Sequence, residues 1–155
     1  MKVLVTGSAG KAGRFTVKEL AKAGHDDVHV DRIKPGEERP GVFLEVDLTD
    51  AGEVYDAFAQ TGPESVCHIA ANPSPQGYSR QGTFRNNVMS TYNVMQAAGD
   101  AGVARLIYAS SEMATGWLTT EELPPTIPFT EEDRVYSPNA YALSKYMGEV
   151  MAESM

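Results

Sequence analysis

The feature that most constrains this chain stands at its start. An apolar β-rich run, Lys2–Thr6, ends abruptly in glycines at 7, 10 and 13, and a helical pattern opens at once near Lys11. A strand that turns directly into a helix within Thr6-Gly7-Ser8-Ala9-Gly10-Lys11-Ala12-Gly13 has three tasks. It needs a tight turn, a backbone open to close approach, and a close seat of helix on strand. Gly7, Gly10 and Gly13 suit those tasks in order, and Lys11 and Ala12 lie in the same loop. The new helix then points its free N–H groups at whatever lies above the strand ends, a natural seat for a pyrophosphate.

The rest of the chain repeats the alternation. The first helix runs from near Lys11 to a stop at Gly24. Val28–Asp31 reads as a second strand, KPGEERPG as a turn-rich connection, and Val42–Val46 as a third strand. A helix follows over 51–59, with Asp50 as N-cap and Gly62-Pro63 as its stop. Ser65–Ala70 is a buried fourth strand, and a long helix over 83–101 sets Val88, Thr91, Val94 and Met95 on one face. Ala104–Ser110 is a fifth strand. Residues 116–138, with Pro124, Pro125 and Pro128, form an irregular loop, and a last helix runs on from Asn139. Five strands joined by right-handed crossovers predict an α/β, doubly wound parallel sheet of Rossmann type in the order 3-2-1-4-5. Ligands of such sheets sit at the carboxyl ends of the strands, where the order reverses between strands 1 and 4.

Composition sets the outer limits. The 155 residues make one domain, and 42% apolar with 22% charged residues is ordinary for a globular protein. A net charge of −8 argues against nucleic acid as partner. No run is long enough for a membrane span, and the first ten residues turn glycine-rich too early for a signal peptide, so a cytoplasmic protein is expected. The single cysteine, Cys67, fits a reducing compartment.

Further residues fall at the strand ends. Asp31 closes the second strand 18 residues after Gly13, where a carboxylate can accept from the adenosine ribose hydroxyls and repel a 2′-phosphate. That favours NAD over NADP, although the Arg32 guanidinium next to it suits a phosphate. Asp47 and Leu48 close the third strand, as partners for an adenine amino group or as a simple cap. In the last helix Tyr141 and Lys145 stand four apart on one face. A tyrosine of pKa about 10 is a poor base at neutral pH, and a neighbouring ammonium lowers that value. Ser110 and Ser111 end the fifth strand, where a hydroxyl can hold a substrate oxygen. Bland readings fit the remainder. His25 and His29 read as solvated turn residues, His68 as a packed strand residue, Trp117 as local packing, and Met147, Met151 and Met155 as an apolar helix face. No metal site is expected.

Taken together, TGSAGKAG, the VD at 30–31, DL at 47–48, HIAA at 68–71, NNVMSTYNV at 86–94, ASS at 109–111 and YALSK at 141–145 resemble the extended short-chain dehydrogenase/reductase family, the NAD-dependent epimerases and dehydratases. The resemblance implies Tyr141 as general acid/base, Lys145 as its modulator and ribose anchor, and Ser111 as third catalytic residue. It implies that Ala70 and Ala71 line NAD through backbone, that Asn87 supports the site, and that a homodimer forms on the helix at 83–101 and the Tyr141 helix. The expected chemistry is hydride transfer between NAD and a sugar or sugar-nucleotide carbinol, ending in oxidation or epimerisation. The alternative is a non-catalytic dinucleotide-binding module, or an inactive fragment of such an enzyme. Two departures stand out. Glu112-Met113 follows Ser111 where the dehydratase branch has Asp-Glu, while ASSEMATGW is more loosely similar to sugar and uronate dehydrogenases. Family members also run on for roughly as much again, so residues 1–155 are expected to be an NAD-binding Rossmann domain whose carboxyl-terminal, substrate-binding part is missing, inactive alone.

Overall fold

The computed structural model describes residues 1–73, 78–121, 123, 124 and 126–155. Its strands are β1 (Lys2–Thr6), β2 (Asp26–Asp31), β3 (Val42–Glu45), β4 (Ser65–His68) and β5 (Arg105–Tyr108). Its α-helices are α1 (Lys11–Lys22), α2 (Ala51–Thr61), α3 (Arg80–Asp100) and α4 (Ala140–Ser154). The five strands form one parallel sheet in the order β3-β2-β1-β4-β5, as the alternating pattern predicts. Thr6 lies opposite Val30 on one side and His68 on the other, which brings the ends of three strands level.

Alternation along the strands fills two cores. Leu4, Val30 and Val66 pack with Val54, Phe58 and Val94 from α2 and α3. Val3 and Val5 pack with Val17 of α1 on the opposite face. α1 covers that second face at β1 and β2, while at β5 the face is open, with Ile107 58% exposed.

Element boundaries move where a side chain takes a backbone group. α3 starts at Arg80 rather than 83 because the Ser79 hydroxyl accepts the Gly82 N–H at 2.9 Å. α2 has the expected cap, Asp50 accepting from Glu53 N–H, and it closes on Gly62 at φ +55°. β4 stops at His68, short of Ala70, because the Thr6 hydroxyl takes the Ile69 and Ala70 N–H groups out of the ladder.

β2 begins at Asp26, two residues early, and His29 within it overturns one reading of the sequence: it is no solvated turn residue but a strand side chain only 2% exposed. The loop after β2 folds back over it, His29 Nε2–H donates to the Pro40 carbonyl at 3.1 Å, and burial holds its pKa below the ordinary histidine value. Residues 112–138 are largely irregular, as expected, and include short 3-10 turns at Glu112–Thr115, Trp117–Thr119 and Glu131–Asp133. Pro125 of that stretch lies outside the described residues. α4 starts on Asn139, whose side-chain Oδ1 accepts from Tyr141 and Ala142 N–H, and packs along α3. No helix among the described residues is long and apolar enough to cross a membrane.

Candidate active site

The glycine loop is shaped by contacts that leave no room for a Cβ. Gly7 turns at φ +72°, and a Cβ there would lie 2.7 Å from the Ala70 Cα. On Gly13 it would lie 2.2 Å from the Gly7 carbonyl oxygen, so this residue lets α1 sit on the turn. Gly10 is different. Its added Cβ would meet only the Gly7 oxygen at 3.2 Å, so its bareness serves the open side of the loop. That side is a crevice of about 710 Å³. Gly7 and Gly10 line it from the loop, Lys11, Ala12 and Gly13 from the first turn of α1, Asp31 and Arg32 from the end of β2 and the residue after it, and Asp47, Leu48, Ala70 and Ala71 from the segments that follow β3 and β4. Residues separated by up to 64 positions thus converge at the carboxyl end of the sheet.

The two acidic strand ends are both tied to backbone. Asp31 accepts the Ala9 N–H at 2.9 Å through one oxygen and the Ile33 N–H at 3.2 Å through the other, so it braces the glycine loop while facing the crevice. Arg32 leans across the opening, donating to Asn72 Oδ1 at 3.0 Å and Asn86 Oδ1 at 3.4 Å. Asp47 accepts both the backbone N–H and the hydroxyl of Thr49, and these bonds hold its carboxyl below the usual aspartate pKa.

Several supports escape a reading of the sequence. Asn72 pairs with Asn87 through its backbone, its N–H donating to Asn87 Oδ1 at 2.7 Å and its carbonyl accepting from Asn87 Nδ2 at 3.2 Å. The same amide reaches Ser144 of α4 at 3.0 Å. Asn87 is therefore buried behind the crevice wall and joins the end of β4, α3 and α4. Asn93 holds the Leu48 carbonyl at 3.0 Å. Arg39, from the loop after β2, donates to the Ser8 carbonyl. The resemblance already implies Asn87 as a support, though not its partners, whereas Asn93 stands out in sequence only as a polar residue on a helix face that is otherwise core. Arg39 leaves no signal at all, since loop arginines are ordinarily solvated.

The second half of the site forms where β5 meets α4. Lys145 is 3% exposed, and its ammonium donates to the Ala109 carbonyl at 2.7 Å, two residues before Ser111. It stands 6.0 Å from the Tyr141 ring centre and 4.9 Å from that of Tyr108. Burial pushes the Lys145 pKa down to about 8. Tyr141 is half-buried in the first turn of α4. Ser111 caps the following turn, its hydroxyl accepting from Met113 N–H at 3.2 Å. Neighbouring Ser110 donates to Glu149, whose other oxygen binds Arg134 at 2.5 Å. Lys145 thus joins the helix of Tyr141 to the strand end that carries Ser111.

A glycine cradle at a strand–helix turn, an acidic residue ending β2, and a serine, tyrosine and buried lysine near the end of β5 define a dinucleotide-binding fold of the short-chain dehydrogenase/reductase class. The model of the NAD dependent epimerase/dehydratase family matches residues 3–155, and the chain belongs to that family. Among curated relatives, UDP-glucose 4-epimerase of Lactobacillus helveticus is 30% identical, over 96% of this chain and 45% of that protein. L-arabinose 1-dehydrogenase (NAD(P)(+)) of Haloferax volcanii is 36% identical, over 71% of this chain and 41% of its own length. Among solved structures, Bordetella bronchiseptica WbmG in complex with NAD superposes with a TM-score of 0.85 at 28% identity, over 99% of this chain and 49% of that one. The UDP-glucose 4-epimerase of Thermus thermophilus in complex with NAD gives 0.85 at 29%, over 99% and 50%. The family is NAD-dependent, and these two neighbours hold NAD. The chain spans about half the length of the curated relatives it matches.

Proposed function

We propose that residues 1–155 bind NAD in the crevice between β2, β1 and β4 and supply the cofactor-binding and proton-transfer groups of an oxidoreductase or epimerase acting on a sugar or sugar-nucleotide carbinol. The residues fit that cofactor. Gly10 leaves its side of the loop bare, free N–H groups open α1, and a volume of about 710 Å³ lies within the range of dinucleotide and drug-sized sites. NAD, when bound, supplies the hydride acceptor. Gly7–Gly13 then seats the pyrophosphate, Asp31 the adenosine ribose, Asp47 and Leu48 the adenine edge, and Ala70 and Ala71 the wall beside the nicotinamide half.

The observation that carries the chemical half of the reading is the position of Lys145. A buried cation four residues after Tyr141, bonded to the strand that delivers Ser111, is an expensive arrangement to retain for packing alone. Tyr141 moves the proton of the carbinol, Lys145 favours its phenolate, and Ser111 holds the substrate oxygen. The apolar outer faces of α3 and α4, with Met89, Tyr92 and Val150 more than a third exposed, support a homodimer through these helices. The test is calorimetry with NAD, followed by a panel of aldoses, uronates and UDP-sugars. Oxidation is read at the NADH band, and epimerisation by product analysis. Weak but saturable binding of NAD is the expected result, and no binding at millimolar NAD refutes the cofactor assignment.

A further inference from the structure

One buried imidazole lies between the two halves of the site. His68, at the end of β4, is fully buried. Its Nδ1 is 2.7 Å from Thr6 Oγ1 and its Nε2 is 3.1 Å from Thr91 Oγ1. The Thr6 hydroxyl also accepts the backbone N–H groups of Ile69 and Ala70, both at 3.1 Å. A hydroxyl has two acceptor lone pairs and one proton. With both lone pairs taken by backbone, the Thr6 proton goes to His68 Nδ1. The ring must then carry its own proton on Nε2 and donate it to Thr91.

The groups around the ring keep it neutral. Thr6 from β1 and Thr91 from α3 carry no charge, Tyr108 of β5 stacks on it with ring centres 5.8 Å apart, and the nearby charge is the Lys145 ammonium from α4. Burial, helped by that cation, pushes the His68 pKa down to about 3. Tyr108 can occupy this place because α4 has Gly148 above it, where a Cβ would fall 2.3 Å from the phenol.

What the imidazole fixes is the crevice wall. Ile69 and Ala70 leave the sheet at Thr6, and the Ala70 backbone is the surface against which Gly7 turns. We infer that His68 is a positioning residue which, as the neutral Nε2–H tautomer bridging Thr6 and Thr91, sets the Ile69–Ala70 wall against the glycine loop. Its bearing on NAD affinity rests on the cofactor reading above, but its bearing on the wall does not.

The first test is therefore made without cofactor. Long-range ¹⁵N NMR of the labelled 155-residue chain should show a pyridine-like Nδ1 and a pyrrole-like Nε2 for His68, unchanged from about pH 5 to pH 8. The opposite tautomer, or a titration in that window, overturns the inference. The second test compares His68→Gln, which keeps an acceptor and a donor, with His68→Phe, which keeps the stacked ring and loses both bonds. Amide exchange at Ile69 and Ala70 should quicken at least about tenfold in the Phe variant and far less in Gln, with the β1–β2 ladder unchanged. NAD affinity should fall roughly tenfold in Phe and only a few-fold in Gln. Equal behaviour of Gln and Phe overturns the proposal. If His68→Phe does not fold, Thr91→Val removes the far anchor of the imidazole while leaving the Thr6 hydroxyl in place, and should quicken the same two amides; unchanged exchange there overturns the proposal. If the unmodified chain binds no NAD, the cofactor reading fails while the tautomer and exchange results still decide the role of His68.

Discussion

The crevice between β2, β1 and β4 and the cluster between β5 and α4 are built on different principles. In the crevice, side chains hold backbone. Asp31 takes the Ala9 N–H, Thr6 takes those of Ile69 and Ala70, Asp47 takes that of Thr49, and the glycines pack backbone on backbone. In the cluster, elements distant in sequence meet through long polar side chains, as with Lys145 on Ala109, Glu149 between Ser110 and Arg134, and Tyr108 beneath Gly148. A surface shaped by backbone is sensitive to added atoms and tolerant of lost charge. A cluster of polar side chains is the reverse. The contrast predicts that fold and chemistry can be broken separately.

Tyr141→Phe should produce the largest effect. In protein that turns over a sugar nucleotide, loss of the hydroxyl should reduce turnover about 10²–10⁴-fold. Melting temperature and NAD affinity should stay near those of the parent, because in the proposed role the hydroxyl acts in the transition state and adds little to ground-state binding. A matched fall in NAD affinity by calorimetry would place Tyr141 in the binding surface and blur the contrast.

Gly13→Ala should do the opposite. Its Cβ would overlap the Gly7 carbonyl and come within 2.8 Å of Ser8 Cα, all backbone that cannot yield cheaply. Overpacking of this kind costs about 3 kcal/mol, or roughly 10 °C in a domain of this size. Gly10→Ala, with one contact at 3.2 Å, should melt near the parent but bind NAD more weakly, since the added methyl enters the cofactor's side of the loop. Equal melting losses in both variants would show that the loop is not shaped as described.

Lys145 allows a test through pH. Its folded pKa, about 8, lies below the unfolded value of 10.5, so between those values the unfolded chain binds more protons and stability rises with pH. The rise should amount to about 2–3 kcal/mol between roughly pH 7.5 and 10. In Lys145→Met that rise should vanish, which urea midpoints at the two pH values will show. Burial raises the pKa of Cys67 and Tyr108, which pulls the parent profile the other way, so the difference between the two proteins decides. No larger gain in the parent than in Lys145→Met would mean the ammonium is solvated in the folded protein.

The two regions are also unequally legible. The glycine loop, Asp31 and the DL turn follow local rules of spacing, so their convergence on one crevice can be read from the sequence together with the sheet order. Asp50 and Gly62 mark their helix for the same reason. His29 misleads because a polar side chain in a short strand beside a turn-rich stretch is ordinarily solvated, and here the loop at 32–41 folds back over β2 and buries it. The depth of Lys145, the brace of Asn87 and the hold of Arg39 on Ser8 each join residues more than 14 positions apart. No window of sequence contains both partners of such a contact.

The smallest expected effect separates the two uses of Asp31. The carboxylate braces Ala9 and lines the crevice, and in the proposed cofactor position it presents a negative charge to a 2′-phosphate. Asp31→Asn keeps an amide oxygen for the Ala9 N–H and removes the charge, losing besides only the exposed acceptor for the Ile33 N–H. NAD affinity should therefore change less than about threefold, while NADP affinity should rise about tenfold, the scale of one relieved charge contact in a partly screened site. Asp31→Ala removes the brace as well, so NAD should weaken while the preference narrows by the same factor. Titrating both cofactors against the three proteins at one ionic strength resolves the matter, because charge moves the ratio and the brace moves both affinities together. If the NAD/NADP ratio is unchanged in Asp31→Asn, then Arg32, released from Asn72 and Asn86, sets the preference. In that case Arg32→Ala should be the variant that moves it.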